Sequence, residues 1–355
     1  MKIINLKLTN VRNHENLEIG FDENLTMITG RNGSGKSTIL ESVHALSTGR
    51  TKSSRYDKDL IQYGKDFCTI NADIETDNDA FNMELQIIKS EKFENASIKK
   101  AKINKVVKSI QYFTGIFNSV LFSPQDIQLI TGSPSERRRY MDDMLSQTDR
   151  DYKKSLNDYV KAVRHRNKLL EKINKGFGGH DEIGFYTDQI LENGTTLQQK
   201  REKMFKEINP VIFENGLVLN GKSTEVKIIY KKNEINRQRL QEYEQREIGA
   251  MTTLIGPHRD DFEIIFNEHN VSNFGSRGEQ RSCVLALKIG EIEYIEKNKG
   301  DRPVLLLDDI FSELDDTHQK AVIESIEGKQ TTITSTATSD FINMENAKVI
   351  NLPLE

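Results

Sequence analysis

The run Gly30-Arg31-Asn32-Gly33-Ser34-Gly35-Lys36-Ser37 and the stretch Pro303-Val304-Leu305-Leu306-Leu307-Asp308-Asp309 lie near opposite ends of a 355-residue chain. The first has the form of a phosphate-binding loop. The second reads as a buried strand ending in carboxylates, the usual companion of such a loop in a nucleotide site. For the two to act together, the ends of the chain must fold into one α/β head. The residues between them are then left to protrude as a separate element.

The loop pattern is short, and the chain matches it twice, the second time at Gly216-Leu217-Val218-Leu219-Asn220-Gly221-Lys222-Ser223. Context separates the two matches. The first follows the apolar run Leu25-Thr26-Met27-Ile28-Thr29 and precedes the helix-like Thr38–Leu46, so its N–H groups would face an anion at a helix N-terminus. The second is followed by the strand-like Thr224–Tyr230 and reads as a glycine-containing turn. Gly30, Arg31, Asn32, Gly33, Ser34, Gly35, Lys36, Ser37 and Thr38 are therefore the expected contacts for ATP. Gly33 and Gly35 let the main chain wrap phosphate oxygens, Lys36 supplies charge to the β and γ phosphates, and Ser37 can ligate Mg2+. Asp308 is expected in the magnesium shell, and Asp309 is placed to polarise an attacking water.

Upstream of the carboxylate strand lies Phe274-Gly275-Ser276-Arg277-Gly278-Glu279-Gln280-Arg281-Ser282, followed by a helix-like run to about Asn298. Read by itself, this is a capped helix start at which a hydroxyl and N–H groups converge. Its serine, glycine and glutamine resemble the signature motif of ABC-type ATPases. The resemblance implies that Ser276 and Gly278 of one copy touch the γ-phosphate held by another. Asp315, in Ser312-Glu313-Leu314-Asp315, resembles the loop through which such subunits communicate.

Further stretches narrow the resemblance. Leu6-Lys7-Leu8-Thr9-Asn10-Val11-Arg12-Asn13-His14, Leu121-Phe122-Ser123-Pro124-Gln125-Asp126, Gly132–Asp142 and Gly256-Pro257-His258-Arg259-Asp260-Asp261 together are similar to the RecF family, and the likeness runs from one terminus to the other. It implies an ABC-type head of mixed sheet with flanking helices and an antiparallel β layer, plus an inserted helical arm. It also implies Gln125 among the nucleotide contacts, an ATP-dependent homodimer, and duplex, gapped or junction DNA as ligand. RecO-type and RecR-type partners and a weak ATPase acting as a switch in recombinational repair follow from the same likeness. The alternatives are an ABC-type transport ATPase subunit and a related defence ATPase. Asp309 is one methylene shorter than the glutamate of transport subunits, which implies slow hydrolysis. Thr334-Ser335-Thr336 stands where those subunits carry a histidine, with Ser335 or Thr336 as its replacement.

Composition bounds the rest. Cys68 and Cys283 match no metal or redox spacing and are read as reduced, with Cys283 on the same helix face as Leu287. No apolar run has membrane-spanning length and the N-terminus reads as strand, so a cytoplasmic protein without membrane contact is expected. A net charge of −4 leaves DNA binding open, because cations cluster at Lys99-Lys100-Ala101-Lys102, Arg137-Arg138-Arg139 and Arg164-His165-Arg166-Asn167-Lys168. Residues 1–130 and 249–355 are expected to form the two halves of the head and 131–248 a mainly helical arm, broken at Gly176–Gly179 and at Asn209-Pro210. Leu156, Tyr159, Val163, Leu169, Leu170 and Ile173 should pack on a returning helix near Ile190, Leu197 and Met204. In Gly256–Asp261, His258 and Arg259 could touch DNA, pair across a dimer or anchor the turn to Asp260; the adjacent glycine and proline favour a structural turn in which Arg259 is satisfied locally.

Overall fold

The computed structural model describes residues 1–52, 54, 56–76, 79–91, 96–220, 224–311, 314–336 and 347–352. The chain divides into two compact units, one made of Met1–Asp126 with Leu287–Glu355 and the other of Ile127–Ala286. The ends of the chain thus share the first unit.

In the first unit the strand directions segregate. Five strands lie parallel in the order Lys348–Asn351, Leu25–Thr29, Thr331–Ser335, Val304–Asp308, Ser119–Phe122. Their sequences are short apolar runs because both faces of a parallel sheet are covered. Leu305, Leu306 and Leu307 have no exposure; burying each contributes roughly 1.5–3 kcal/mol. Six antiparallel strands form a second sheet in the order His14–Gly20, Lys2–Val11, Phe67–Glu75, Ala80–Lys89, Ser97–Ile103, Val106–Lys108. Phe67–Glu75 alternates between buried and open positions, as a strand with one wet face does. The helix Lys36–Thr48 packs against both sheets and buries every residue except Ser37, so it is apolar on most sides rather than along one stripe.

The second unit contains the helices Pro134–Thr148, Arg150–Asn174, His180–Asn220 and Arg237–Ala250, together with a three-stranded antiparallel sheet ordered His269–Asn270, Asp261–Phe266, Val226–Lys231. Arg150–Asn174 and His180–Asn220 form the expected hairpin. Tyr159, Leu169, Leu170, Ile190, Leu197 and Met204 are buried, and Gly176, Gly178 and Gly179 turn the chain at φ of 77, 83 and 112°. Asp261–Phe266 pairs along its length with Val226–Lys231, which draws residues 249–286 into this unit rather than into the head half expected from 249 onward.

Two local expectations fail here for tertiary reasons. Pro210 sits inside the helix His180–Asn220 without ending it. Ile208 and Ile212 are buried on either side of it, and the Asn209 amide bonds both the N–H and the C=O of Ile228, at 2.8 and 3.0 Å. Packing across the break outweighs the hydrogen bond that proline deletes. Gly216 is likewise helical rather than part of a turn, and a Cβ there would come within 2.7 Å of Val226 Cγ2. The second loop-like match therefore begins in a helix packed on a strand, while its Gly221, Lys222 and Ser223 lie outside the described residues.

Candidate nucleotide site

The parallel sheet brings the two ends of the chain together. The phosphate-loop strand Leu25–Thr29 and the carboxylate strand Val304–Asp308 are not neighbours; Thr331–Ser335 runs between them, with Ile28, Thr334 and Asp308 in one row. All three strands end at the same sheet edge, where α/β folds place ligands. A pocket of about 230 Å³ lies there, lined by Asn13, Asn32, Gly33, Gly35, Lys36, Ser37, Thr38, Asp308 and Asp309.

The loop reaches this geometry through glycines. Gly35 caps the helix at φ 90°, and a Cβ on it would collide with His14 Nε2 at 2.2 Å and Asn13 Nδ2 at 2.7 Å. Those two side chains reach in from the antiparallel sheet, Asn13 Nδ2 donating to the Gly33 carbonyl at 3.1 Å and His14 Nε2 lying 3.1 Å from that of Gly35. The sequence does not mark either as a site residue, because its only signal is their place in the N-terminal stretch. Lys36 Nζ donates to the carbonyls of Gly30 at 2.7 Å and Arg31 at 3.0 Å, so its charge is held over the loop.

Ser37 Oγ donates to Asp308 Oδ1 at 2.9 Å, joining residues 271 positions apart. Thr334 Oγ1 donates to the same oxygen at 2.8 Å and accepts the Asp309 N–H at 3.0 Å. Thr334, one position before Ser335 and Thr336, thus bonds the Asp308 carboxylate and the Asp309 main chain. Asp309 takes φ 49°, a left-handed conformation that aspartate tolerates better than most residues. Among the described residues no group of three or more His, Cys, Asp or Glu could hold a metal by itself. One hydroxyl and one carboxylate suit Mg2+, which keeps several waters and takes its remaining ligands from phosphate.

The other predicted contacts are dispersed. Gln125 is exposed on the turn Pro124–Ile127, outside the pocket lining. Its neighbour Asp126 is buried and accepts from Lys52 at 2.7 Å and from the Ser123 N–H at 2.7 Å, with Lys288 at 3.8 Å. Burial pushes the Asp126 carboxyl up, but Lys288 and Lys52 outweigh it and hold it below the ordinary range. Asp315 caps the helix Asp316–Ile326 by accepting the N–H groups of Thr317 and His318, while Ser312 and Glu313 lie outside the described residues. Ser276 and Gly278 belong to the second unit. Ser276 and Glu279 form a reciprocal cap on the helix Arg277–Lys299, at 2.7 and 3.3 Å, and a Cβ at Gly278 would meet nothing within 4 Å. Nothing among the described residues demands glycine at 278.

Each basic cluster gives at least one of its cations to a partner inside the chain. Lys99 pairs with Asp57 and Lys102 with Glu84, at 2.8 and 2.6 Å. Arg137 grips Asp261 through two nitrogens at 2.6 and 2.9 Å. Arg166 is buried and donates to Glu247, Thr253 and Thr187. Both cysteines are buried and free, and burial raises each thiol to about 12.

Residues 2–351 match the family model described as the RecF/RecN/SMC N terminal domain. The DNA replication and repair protein RecF of Bacillus thuringiensis (strain Al Hakam) is 34% identical over 364 residues, covering 98% of this chain and 95% of the relative. The chain belongs to the RecF family. RecF of Bacillus cereus (strain AH187) is as similar, at 34% over the same share. A solved structure of the recombination mediator protein RecF with ATP, in the RecFOR pathway, superposes with a TM-score of 0.86 at 29% identity, covering 95% of this chain and 92% of that one. An SMC head bound to the C-winged helix domain of ScpA, 17% identical with a TM-score of 0.56, shares the fold. The fold is that of an ABC-type ATPase head, as the motifs implied, and the family is one of DNA replication and repair.

Proposed function

We propose that this chain is an ATP-driven, DNA-binding switch of recombinational repair and replication-fork maintenance. Two copies close around two ATP molecules, the closed pair grips duplex DNA at a gap or junction, and slow hydrolysis releases it. The observation that carries the reading is the convergence of Ser37, Asp308, Thr334 and Asp309 at one sheet edge beside the glycine loop. The RecF relatives' part in DNA repair and the RecFOR pathway supports RecO-type and RecR-type partners that help load recombinase.

On this reading Lys36 exchanges its two loop carbonyls for the β and γ phosphates, a stronger charge-assisted pairing. Ser37 and Asp308 would hold Mg2+, which neutralises phosphate charge when bound. Asp309 orients the attacking water, and its short side chain keeps turnover low. Gly278 and the Ser276 hydroxyl complete the site of the second copy, which accounts for a glycine that faces open space. Asp315 and Gln125, both exposed, are available to the same closed pair. That no helix among the described residues is long and apolar enough to cross a membrane is compatible with a cytoplasmic role. The transport-subunit alternative draws no support from the RecF relatives.

Analytical sedimentation with ATP and magnesium, with and without duplex DNA, tests the reading. The wild-type chain should pair with nucleotide and bind duplex, and Lys36→Ala should do neither while losing about a hundredfold or more of its ATP turnover. A wild-type chain that stays solitary with a non-hydrolysable nucleotide at high concentration overturns it.

A further inference from the structure

The turn Pro257–Arg259 is braced from behind to an unusual degree. Gly256 takes φ 124° where a Cβ would stand 2.4 Å from Tyr159 Oη. Both ring nitrogens of His258 are engaged, with Tyr159 Oη at 2.6 Å and the Thr253 carbonyl at 2.9 Å. Asp260 is fully buried and accepts from Gln198, Arg201, Tyr230 and the Asn233 N–H. The sequence reading of a structural turn therefore holds for His258 and Asp260 but not for Arg259. That side chain is exposed and makes no hydrogen bond or ion pair with the described residues.

Beside it lies Arg138, which gives one N–H to the Asp260 carbonyl at 2.9 Å and forms no ion pair with the described residues. Burial lowers the Arg138 pKa; Asp261 and Asp142 raise it, and the charges of Arg201 and Arg259 lower it. The nearby carboxylates have other partners: Asp142 and Asp260 take Arg201, Asp143 takes Arg139, and Asp261 takes Arg137. Two arginines are thus held in each other's field with most of their donors unspent. Such an arrangement costs free energy until an anion with several acceptor oxygens joins it, and arginine forks match phosphate in shape.

We propose that Arg138 and Arg259 form a phosphate clamp for the backbone of duplex DNA. The assignment rests on the DNA-binding reading above and adds to it the surface that does the gripping. The clamp is separate from the signature motif. Neither arginine belongs to the stretch Phe274–Ser282, and neither lines the nucleotide pocket.

Anisotropy titrations of a labelled duplex with the full chain, ATP and magnesium, between about 50 and 200 mM salt, test the clamp. Arg259→Ala should weaken binding at every salt concentration and reduce the slope of log affinity against log salt by about one. ATP affinity should not change and the thermal midpoint should not fall, since the side chain bonds none of the described residues and its removal relieves repulsion on Arg138. Arg259→Lys should recover the slope but only part of the affinity, because a point charge replaces a fork. Wild-type affinity and slope in Arg259→Ala would overturn the clamp and leave the DNA reading intact. Altered ATP affinity with unaltered duplex binding would assign the pair to free nucleotide instead and also overturn it. If the wild-type chain binds no duplex, the clamp and the reading fall together.

Discussion

The nucleotide pocket and the network around Asp260 are both built from arginine or lysine, aspartate and hydroxyl groups, yet they are opposite in kind. In the pocket the bonds are few, partly open to solvent and made to groups that a phosphate or a metal would displace: Lys36 lies on loop carbonyls and Ser37 on Asp308. Around Asp260 the central groups are enclosed: Asp260, Arg201, Gln198 and Tyr152 are all buried. Arg201 alone reaches Tyr152, the Pro257 carbonyl, Asp260 and Asp142 at 2.8–3.0 Å. The contrast separates polar groups arranged to exchange partners from polar groups arranged to keep them. A buried network gives its strength to geometry, and its failure is correspondingly costly.

The largest effect should come from breaking the enclosed side. Arg201→Met leaves Asp142 and Asp260 without their shared cation and should cost about 3–5 kcal/mol in urea denaturation. A loss below about 1 kcal/mol, comparable to that of a surface pair, would erase the distinction between the two regions.

His258 gives the second test. Burial lowers its pKa to about 4 from the ordinary 6.5. The unfolded chain therefore takes up this proton first as the pH falls, and the fold loses stability. The contribution is complete above pH 6.5 and disappears as the pH drops through about 4, roughly 3 kcal/mol over that window. His258→Gln should flatten this part of the pH profile of the urea midpoint, with nucleotide affinity at pH 7 unchanged. A profile equally steep in the variant would place the acid sensitivity elsewhere.

The two regions also differ in how far the sequence reveals them. The phosphate loop and the carboxylate strand are legible because each is a contiguous pattern whose flanking periodicity states its context. The hairpin of Arg150–Asn174 and His180–Asn220 is legible for the same reason. Pairing between distant residues is not. Arg137 looks like part of a basic patch until Asp261, 124 positions away, is found beneath it. Pro210 reads as a breaker because its backbone effect is local, whereas the packing of Ile208 and Ile212 that overrides it is tertiary. Thr334 sits in a hydroxyl-rich run, and only the register of Thr331–Ser335 against Val304–Asp308 selects it over its neighbours. Arg259 reads as satisfied locally because a lone arginine between histidine and aspartate gives no sign of being left unpaired.

The smallest expected effect on stability falls in the pocket, and it sharpens the comparison. Thr334→Val keeps the shape of the strand but removes the hydroxyl that donates to Asp308 and accepts from the Asp309 N–H. Asp308 retains Ser37, and the site lies at an open edge where water can replace the lost donor, so the cost should be roughly 1 kcal/mol. Turnover should suffer more than folding, because the Asp308 carboxylate and the Asp309 main chain lose the group that ties them together. A drop in ATP hydrolysis of about tenfold, reversed by Thr334→Ser, would mark the hydroxyl as a positioning group. Equal losses in stability and turnover, or failure of serine to restore activity, would instead make Thr334 a packing residue and the pocket more rigid than its bonding suggests.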